Sequence, residues 1–227
     1  MNRLSIIIPA LNEAATILAT LECLQPLRSA GHELIVVDGG STDGTPDLAA
    51  GLVDVLLQAP RGRARQMNAG ARVAAGEIVW FLHADTLPPA QAGMLIDAAL
   101  TRSGRQWGWF NVRLSGDRWL LRVVERFMNT RSRLSGIATG DQGLFVRRDL
   151  FEKLGGFPEI DLMEDVALCH VLKRQGPPLC LDATLLTSSR RWEQRGIVRT
   201  IVLMWGLRLA YALGMSPVRL ARWYRYY

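Results

Sequence analysis

The first hundred residues alternate between short apolar runs and longer segments with helical spacing, and this alternation limits the fold more than any other feature. The apolar runs span residues 4–8, 34–37, 53–57 and 78–82. Such near-continuous hydrophobicity is typical of strands that are buried on both faces of a parallel sheet. We therefore expect an α/β domain in which helices flank a mostly parallel, Rossmann-like sheet.

Helix-start signals lie between these runs. Asn12 precedes apolar residues at helical spacing from Ile17 to Leu24, so it is expected to cap a first helix. Thr45 followed by Pro46 predicts the start of a second helix. Two further helices are predicted over residues 63–74 and 89–100.

The second half of the chain is less regular. We predict strands at 107–114 and 144–146, with a glycine-rich turn at Gly140, and helices over 117–133, 149–154 and 164–174. Beyond Arg195 lies an amphipathic tail that is broken at Gly214, and Ser216-Pro217 then begins a last helix. The expected organisation is a catalytic domain of residues 1–195 with a helical appendage of residues 196–227.

The net charge of +6 is unevenly distributed, because arginines crowd the tail. They are Arg190, Arg191, Arg195, Arg199, Arg208, Arg219, Arg222 and Arg225. A basic helical segment with Trp223 and Tyr224 suits peripheral contact with an acidic membrane surface. The alternatives are a solvated basic face, packing on the catalytic domain, or a dimer contact. No nucleic-acid reader motif is present, so no nucleic acid is expected.

Several features favour the cytoplasm, either in solution or on the inner face of the cell membrane. Three cysteines without a repeated spacing indicate neither a disulfide framework nor a zinc site. The first apolar run is too short for the core of a signal peptide. Arg199 and Arg208 interrupt the apolar stretch of residues 197–215, which argues against a transmembrane helix.

Polar residues follow three of the predicted strands, at the carboxyl ends where open α/β sheets bind their ligands. They are Pro9, Asn12 and Glu13 after the first strand, Asp38, Gly39, Ser41 and Asp43 after the second, and His83, Ala84 and Asp85 after the fourth. Because each group carries a carboxylate, we expect one crevice in which a nucleotide binds.

Each of these candidates also has an ordinary structural interpretation. Asp38 can accept hydrogen bonds from a base or ribose, or it can cap a turn. Asp85 can hold a divalent cation against a diphosphate, or it can cap the following helix. Arg61, Arg63 and Arg65 can contact the diphosphate or form a solvated loop. A lone histidine such as His83 is more often a hydrogen-bonding residue than a metal ligand.

Glu164 and Asp165 open a predicted helix in the second half. Adjacent carboxylates at a helix start often serve as partners of the helix dipole. In a site that transfers a group to a hydroxyl, one of them would instead remove the proton of the acceptor.

Five segments together resemble family 2 glycosyltransferases. They are residues 8–13 (IPALNE), 36–45 (VVDGGSTDGT), 81–85 (FLHAD), 140–143 (GDQG) and 163–165 (MED), and the likeness covers about residues 4 to 192. The resemblance implies a GT-A fold, an inverting displacement, and a donor that is a nucleotide diphosphate sugar linked to UDP or GDP. It also implies that Asp38 and Asp141 border the donor, that Asp85 binds Mg²⁺ or Mn²⁺, and that Asp165 is the base, supported by Glu164.

Two departures from the family pattern refine this expectation. His83 stands in the first place of the family's Asp-x-Asp motif, as in a compact bacterial subgroup associated by naming convention with arsenosugar biosynthesis. The Gln-x-x-Arg-Trp motif of processive members is here Ser188-Ser189-Arg190-Arg191-Trp192. The missing glutamine favours single transfer, with Arg191 and Trp192 beside the donor or acceptor. A lipid-linked molecule and a small metabolite both remain open as the acceptor.

Other classes of protein fit less well. A nucleotidyltransferase usually needs a glycine- and lysine-rich loop after the first strand, where this chain has Pro9 to Glu13. No G-x-G-x-x-G motif of a dehydrogenase and no P-loop lysine follows that strand. A non-catalytic protein that binds membranes or nucleic acid through its basic tail is the alternative from a different class.

Overall fold

A computed structural model describes residues 2–226, with the side chains of residues 2–224. The strands are β1 Leu4–Ala10, β2 Glu33–Asp38, β3 Val55–Gln58, β4 Ile78–Phe81, β5 Thr86–Leu87, β6 Trp107–Leu114, β7 Phe145–Arg147 and β8 Leu179–Thr187. The helices are α1 Ile17–Ser29, α2 Thr45–Ala49, α3 Arg63–Val73, α4 Ala92–Ser103, α5 Trp119–Ser135, α6 Arg148–Lys153, α7 Glu164–Lys173, α8 Arg190–Arg195, α9 Ile197–Ala212 and α10 Pro217–Tyr226. A short 3₁₀ turn spans Gly140–Gln142.

Within these residues the eight strands form one mixed sheet in the order β3-β2-β1-β4-β7-β6-β8-β5. The first four strands pair in parallel, with β1 between β2 and β4. Alternate residues of β1 enter cores on opposite faces, Ile6 and Ile8 on one and Ile7 on the other. The expected α/β architecture is therefore confirmed.

The second half adds antiparallel pairs to this sheet. β7 runs antiparallel between β4 and β6, and β5 pairs antiparallel with β8. The sequence did not predict β8, because the exposed polar residues Asp182 and Thr184 interrupt its apolar pattern. Its parallel pairing with β6 contains an irregularity between Phe110 and Asn111. Leu179, Leu181, Ala183 and Leu185 nevertheless all enter one core.

The expectation that Asn12 caps the first helix is wrong. The residue that precedes α1 is Thr16, and Asn12 lies in a left-handed conformation with φ 55°. Asparagine tolerates this region better than most residues. Its side chain instead accepts a hydrogen bond from the backbone N–H of Thr42, so it joins the loops after β1 and β2.

Helix α3 lies directly against the central strands. Its Gly70 has no room for a side chain, since an added Cβ would come within 2.5 Å of Ile7 Cγ2. One turn earlier, the buried Gln66 donates from Nε2 to the carbonyl oxygens of Ala10 and Val37, each at 2.8 Å. This side chain therefore links the carboxyl ends of β1 and β2, where the predicted site begins.

The C-terminal helices pack on the rest of the protein. Leu207 of α9 and Leu220 of α10 are buried in a cluster with Met163 and Val166. In the tail, Arg199 is exposed and Arg208 lines a cavity, so these two arginines do not share one polar stripe on α9. Among the described residues, no helix combines the length and the apolar content needed to cross a bilayer.

Candidate active site

The loops after β1 and β2 form one wall of the candidate site, and they are tied to each other. The backbone N–H of Asn12 donates to Ser41 Oγ at 2.8 Å, and the N–H of Ala14 donates to Asp43 Oδ2 at 2.9 Å. Asp43 also accepts hydrogen bonds from Thr45. Asn12, Ser41 and Asp43 thus hold the shape of the wall through their side chains.

Asp38 is the last residue of β2 and is 5% exposed. Its Oδ2 accepts hydrogen bonds from the backbone N–H groups of Gly40 and Ser41, at 2.8 and 2.9 Å. Its Oδ1 is buried and has no hydrogen-bond partner among the described residues. A buried oxygen without a donor is costly, so this atom is suited to accept a hydrogen bond from a ligand.

Asp85 follows β4 and lies close to other carboxylates. Burial raises its pKa, and the negative charges of Asp141 and Glu13 raise it further. Glu13 is paired with Arg190 at 3.3 Å. In such surroundings a nearby cation stabilises the ionised form of the carboxylate.

His83 lies beside the same cluster. Its Nδ1 is 3.3 Å from Asp141 Oδ1, and its Nε2 is buried without a partner in the described chain. Burial lowers its pKa to about 3, with Arg63 adding repulsion, so the imidazole is neutral at pH 7. A neutral imidazole can be buried without a counterion.

The described residues contain no group of three or more His, Cys, Asp or Glu side chains that could hold a metal by themselves. Mg²⁺ commonly binds through one or two carboxylates and completes its shell with substrate phosphates and water. The donor set around Asp85, with Asp141 next to it, fits that manner of binding.

Glu164 and Asp165 open α7 and differ in their surroundings. Glu164 is 3% exposed, and its Oε1 lies 3.4 Å from Arg63 Nη1. Burial raises the pKa of Glu164 and Arg63 acts against this rise. Asp165 is half-buried and accepts a hydrogen bond from the Gly140 N–H at 2.8 Å. The two carboxylates are thus a buried paired group and a more accessible group at a cavity wall.

The three arginines after β3 have separate positions. Arg63 begins α3 and reaches the carboxylates: loss of water lowers its pKa, but Glu164, Asp165 and Asp141 outweigh this and raise it. Arg65 pairs with the exposed Glu159 at 3.5 Å, and Arg61 is exposed. A role of Arg61 and Arg65 at the diphosphate stays a prediction, and no feature of the sequence distinguished Arg63 from its neighbours.

A cavity of about 620 Å³ adjoins Asp165 and lies among α5, α7, α9 and α10. Arg191 and Trp192 of α8 line it, and the Arg191 guanidinium lies 5.1 Å from the centre of the Tyr224 ring. Arg131 and Arg208 also line it. These two were not predicted, because arginines on helices are ordinary surface residues and only the packing of α5 with α9 turns them inward.

The fold is that of a glycosyltransferase of GT-A type. The profile of Glycosyl transferase family 2 matches residues 5–155, and the chain belongs to this family. The undecaprenyl-phosphate 4-deoxy-4-formamido-L-arabinose transferase of Aeromonas hydrophila is 30% identical over 165 residues, which are 63% of this chain and 47% of that protein. This chain thus spans about half the length of that curated relative.

Many solved structures resemble the fold, and two examples hold nucleotide ligands. One is the mannosyltransferase PcManGT from Pyrobaculum calidifontis in complex with GDP-Man and Mn²⁺, with a TM-score of 0.64, 25% identity, and coverage of 82% of this chain and 56% of that one. The other is S. aureus TarS 1-349 in complex with UDP, with a TM-score of 0.69, 19% identity, and coverage of 82% and 60%.

The pairing of Arg63 with Glu164 gives a testable consequence. We expect Arg63→Ala to lower the free energy of unfolding at pH 7 by about 1 kcal/mol, because the buried Glu164 carboxylate loses a counterion whose own side chain is 40% exposed and therefore partly screened by water. Arg65→Ala, on the same helix, removes a pair between two half-exposed side chains and should cost less than about 0.5 kcal/mol. Urea unfolding of the three proteins measures both.

The pH dependence provides the control for this prediction. Because the folded-state pKa of Glu164 is raised above its usual 4.5, its contribution to stability declines as pH rises from that value through the raised pKa. Loss of Arg63 enlarges this decline, so Arg63→Ala should regain part of its stability at pH 5. Equal losses for the two variants, or no regain at pH 5, contradict the assignment.

Proposed function

We propose that this protein transfers a single sugar, with inversion, from a nucleotide diphosphate sugar to an acceptor hydroxyl. The observation that carries the proposal is the convergence of Asp38, Asp85 and Asp165 around the carboxyl edge of β2, β1 and β4. Asp38 has a buried oxygen free to bind the nucleotide, and Asp85 has neighbouring carboxylates that favour a cation. Asp165 has an accessible position at the cavity, where an acceptor can reach it.

The donor lies against the loops after β1 and β2 in this proposal. Asp38 Oδ1 accepts a hydrogen bond from the base or ribose. Gly39 borders the crevice through its backbone, and the place that its side chain would take is filled by Gln66, with Nε2 at 3.0 Å. Pro9, Glu13 and Ala84 border the same crevice. The structural relatives are described with GDP-Man in one case and UDP in the other, so UDP- and GDP-linked sugars are both expected donors.

A divalent cation, Mg²⁺ or Mn²⁺, is held by Asp85, with Asp141 as the neighbouring carboxylate and His83 as a supporting group. Oxygen ligands suit both ions. When bound, the cation neutralises the charge of the leaving diphosphate. The description of PcManGT with Mn²⁺ supports this part of the proposal.

Asp165 is the general base. It takes the proton of the acceptor hydroxyl while the oxygen forms a bond to the anomeric carbon. The bond from that carbon to the diphosphate oxygen breaks, and the nucleotide leaves with the electron pair. Attack opposite the leaving group inverts the anomeric carbon. Glu164, paired with Arg63, fixes the start of α7 and thereby the position of Asp165.

The protein also makes peripheral contact with the cytoplasmic face of a membrane in this proposal. Exposed apolar residues recur every three or four positions along α9: Val198, Val202, Trp205, Leu209 and Leu213. Trp119, Val123 and Phe127 form a similar stripe on α5, and stacking of Phe127 on Trp205 at 4.8 Å joins the two stripes. We call these eight residues the α5–α9 face. Contiguous apolar surfaces of this kind mark contacts with membranes or proteins.

Donor binding and turnover should separate in variants. Asp165→Asn should lower turnover about 10²–10⁴-fold, because a general base is lost, while leaving UDP or GDP binding nearly intact. Asp38→Ala should weaken nucleotide binding about tenfold or more, and Asp47→Asn, on exposed α2, should change neither. The measurements are calorimetry and nucleotide release from a panel of UDP- and GDP-sugars with Mn²⁺.

Several outcomes contradict these assignments. Unchanged nucleotide binding in Asp38→Ala removes this residue from the donor site. A larger loss of turnover in Glu164→Gln than in Asp165→Asn exchanges the roles of the two carboxylates. Formation of a nucleotide sugar from a nucleoside triphosphate and a sugar phosphate indicates a nucleotidyltransferase instead.

The metal proposal predicts that activity disappears in excess chelator and returns with Mg²⁺ or Mn²⁺. Asp85→Asn should require a much higher metal concentration for half-maximal activity, since a carboxylate ligand becomes a neutral amide. Metal titrations of nucleotide release from wild type and variant measure this. Full activity of Asp85→Asn in excess chelator overturns the proposal.

Membrane contact predicts that the full-length protein floats with vesicles that contain phosphatidylglycerol, and that high salt weakens this binding. The double variant Val202→Asp, Leu213→Asp should lose flotation, because it places charges on the α5–α9 face. Met94→Asp is the matched control, since Met94 is 59% exposed but lies on α4. Absence of wild-type flotation, or equal behaviour of both variants, overturns the proposal.

A further inference from the structure

The cavity beside Asp165 connects the candidate base with the α5–α9 face. Asp141 and Asp165 line one part of it. Val123, Phe127, Trp205 and Leu209 line it as well, and they are also 43–63% exposed. The cavity therefore opens where the surface itself is apolar.

Most of the wall between these two parts consists of hydrocarbon side chains. Val124 and Met128 come from α5, Leu162 precedes α7, and Met204 and Leu207 come from α9. Walls of this kind bind apolar groups, whereas a small polar acceptor would leave the apolar side chains in contact with water. The volume of about 620 Å³ is within the range of sites that enclose whole organic ligands.

Two arginines enter this apolar wall, Arg131 from α5 and Arg208 from α9. Neither forms an ion pair within the part of the chain that the structure describes. Arg131 Nη2 donates to Ser132 Oγ at 3.0 Å, but its Nε is buried without an acceptor. Partly buried cations of this kind need a counterion, and guanidinium groups match the geometry of phosphate.

The electrostatics of the pair agree with this need. Burial lowers the pKa of Arg131 to about 10, and the charge of Arg208 contributes, while Asp165 and Asp141 act in the opposite direction. Burial also lowers the pKa of Arg208, against an opposite effect of Asp165. Both remain protonated at pH 7. Asp165 and Asp141 offset part of their mutual repulsion from a distance, but neither forms an ion pair with them, so an anion bound between the two guanidinium groups would stabilise both.

We infer that the acceptor is carried on a lipid through a phosphate, that its apolar chain occupies this cavity, and that Arg131 and Arg208 bind the phosphate. This inference rests on the proposed function. The acceptor hydroxyl lies on the Asp165 side of the phosphate, and Asp165 removes its proton. The α5–α9 face surrounds the opening, so the chain passes from the membrane into the cavity without crossing water. The name of the A. hydrophila relative, which includes undecaprenyl-phosphate, is consistent with this class of molecule.

Calorimetry with simple probes tests the inference on the full-length protein. The probes are inorganic phosphate, butyl, octyl and dodecyl phosphate below their micelle concentrations, and octanol. We expect affinity to rise by about fourfold for each added methylene until the cavity is filled. Octanol should bind about tenfold or more weakly than octyl phosphate, because it has no charge for the arginines.

Variants locate the binding. Arg131→Gln and Arg208→Gln should each weaken octyl phosphate binding about tenfold or more and leave octanol binding unchanged. Arg126→Gln is the matched control, since Arg126 is exposed on the same α5 helix. Met204→Trp, which fills part of the cavity, should remove the advantage of dodecyl over butyl phosphate.

Equal affinities for inorganic and octyl phosphate overturn the inference in favour of a free phosphate site. Equal affinities for octanol and octyl phosphate overturn the role of the arginines. Absence of binding by every alkyl phosphate overturns the whole inference of a lipid-linked acceptor. Binding of UDP and GDP, measured in parallel, distinguishes a failure of the lipid-acceptor inference from a failure of the proposed sugar transfer. Normal nucleotide binding without alkyl phosphate binding contradicts the lipid acceptor and leaves the proposed sugar transfer standing.

Discussion

The parallel pairing of β1 with β2 and β4 is the constraint on which the rest of the structure depends. It places Ala10 opposite Asp38 and brings the residues after β4 to the same edge. Gln66 completes the arrangement, since its amide donates to the carbonyl oxygens of Ala10 and Val37. A slip of one residue in this register would exchange the side chains that enter the two cores and move Asp38 away from its place opposite Ala10, so packing of both cores and assembly of the site require the same alignment.

The second half of the chain brings a different set of charges to that edge. Arg63 begins α3 close to the carboxylates of Glu164, Asp165 and Asp141, and it compensates the buried Glu164. The Gly140 N–H orients Asp165 through a hydrogen bond. The helical tail then encloses this region, because α9 and α10 bury Leu207 and Leu220 against Met163. Tail and catalytic domain thus share a core, and truncation of the tail would expose it.

The sequence predicted the first four strands and the edge of the sheet at which Asp38 and Asp85 both lie, because buried parallel strands have a nearly uniform apolar pattern and their carboxyl ends converge. It did not predict β8, whose polar residues break that pattern. Asn12 was assigned to the wrong partner, since its left-handed backbone depends on hydrogen bonds to a loop thirty residues away. The sequence could not show that Arg131 and Arg208 line the cavity, because their inward position follows from how α5 packs on α9. Local patterns predict elements, whereas side-chain partners between distant elements require the packed structure.

The central claim is that the edge formed by β2, β1 and β4 binds the nucleotide and its metal. A crystal structure of the protein with UDP or GDP and Mn²⁺, in which anomalous scattering locates the manganese, tests this claim most directly. The account predicts manganese against the Asp85 carboxylate and a base or ribose donor within hydrogen-bonding distance of Asp38 Oδ1. A nucleotide bound away from this edge, or a manganese ion without contact to Asp85, would contradict it.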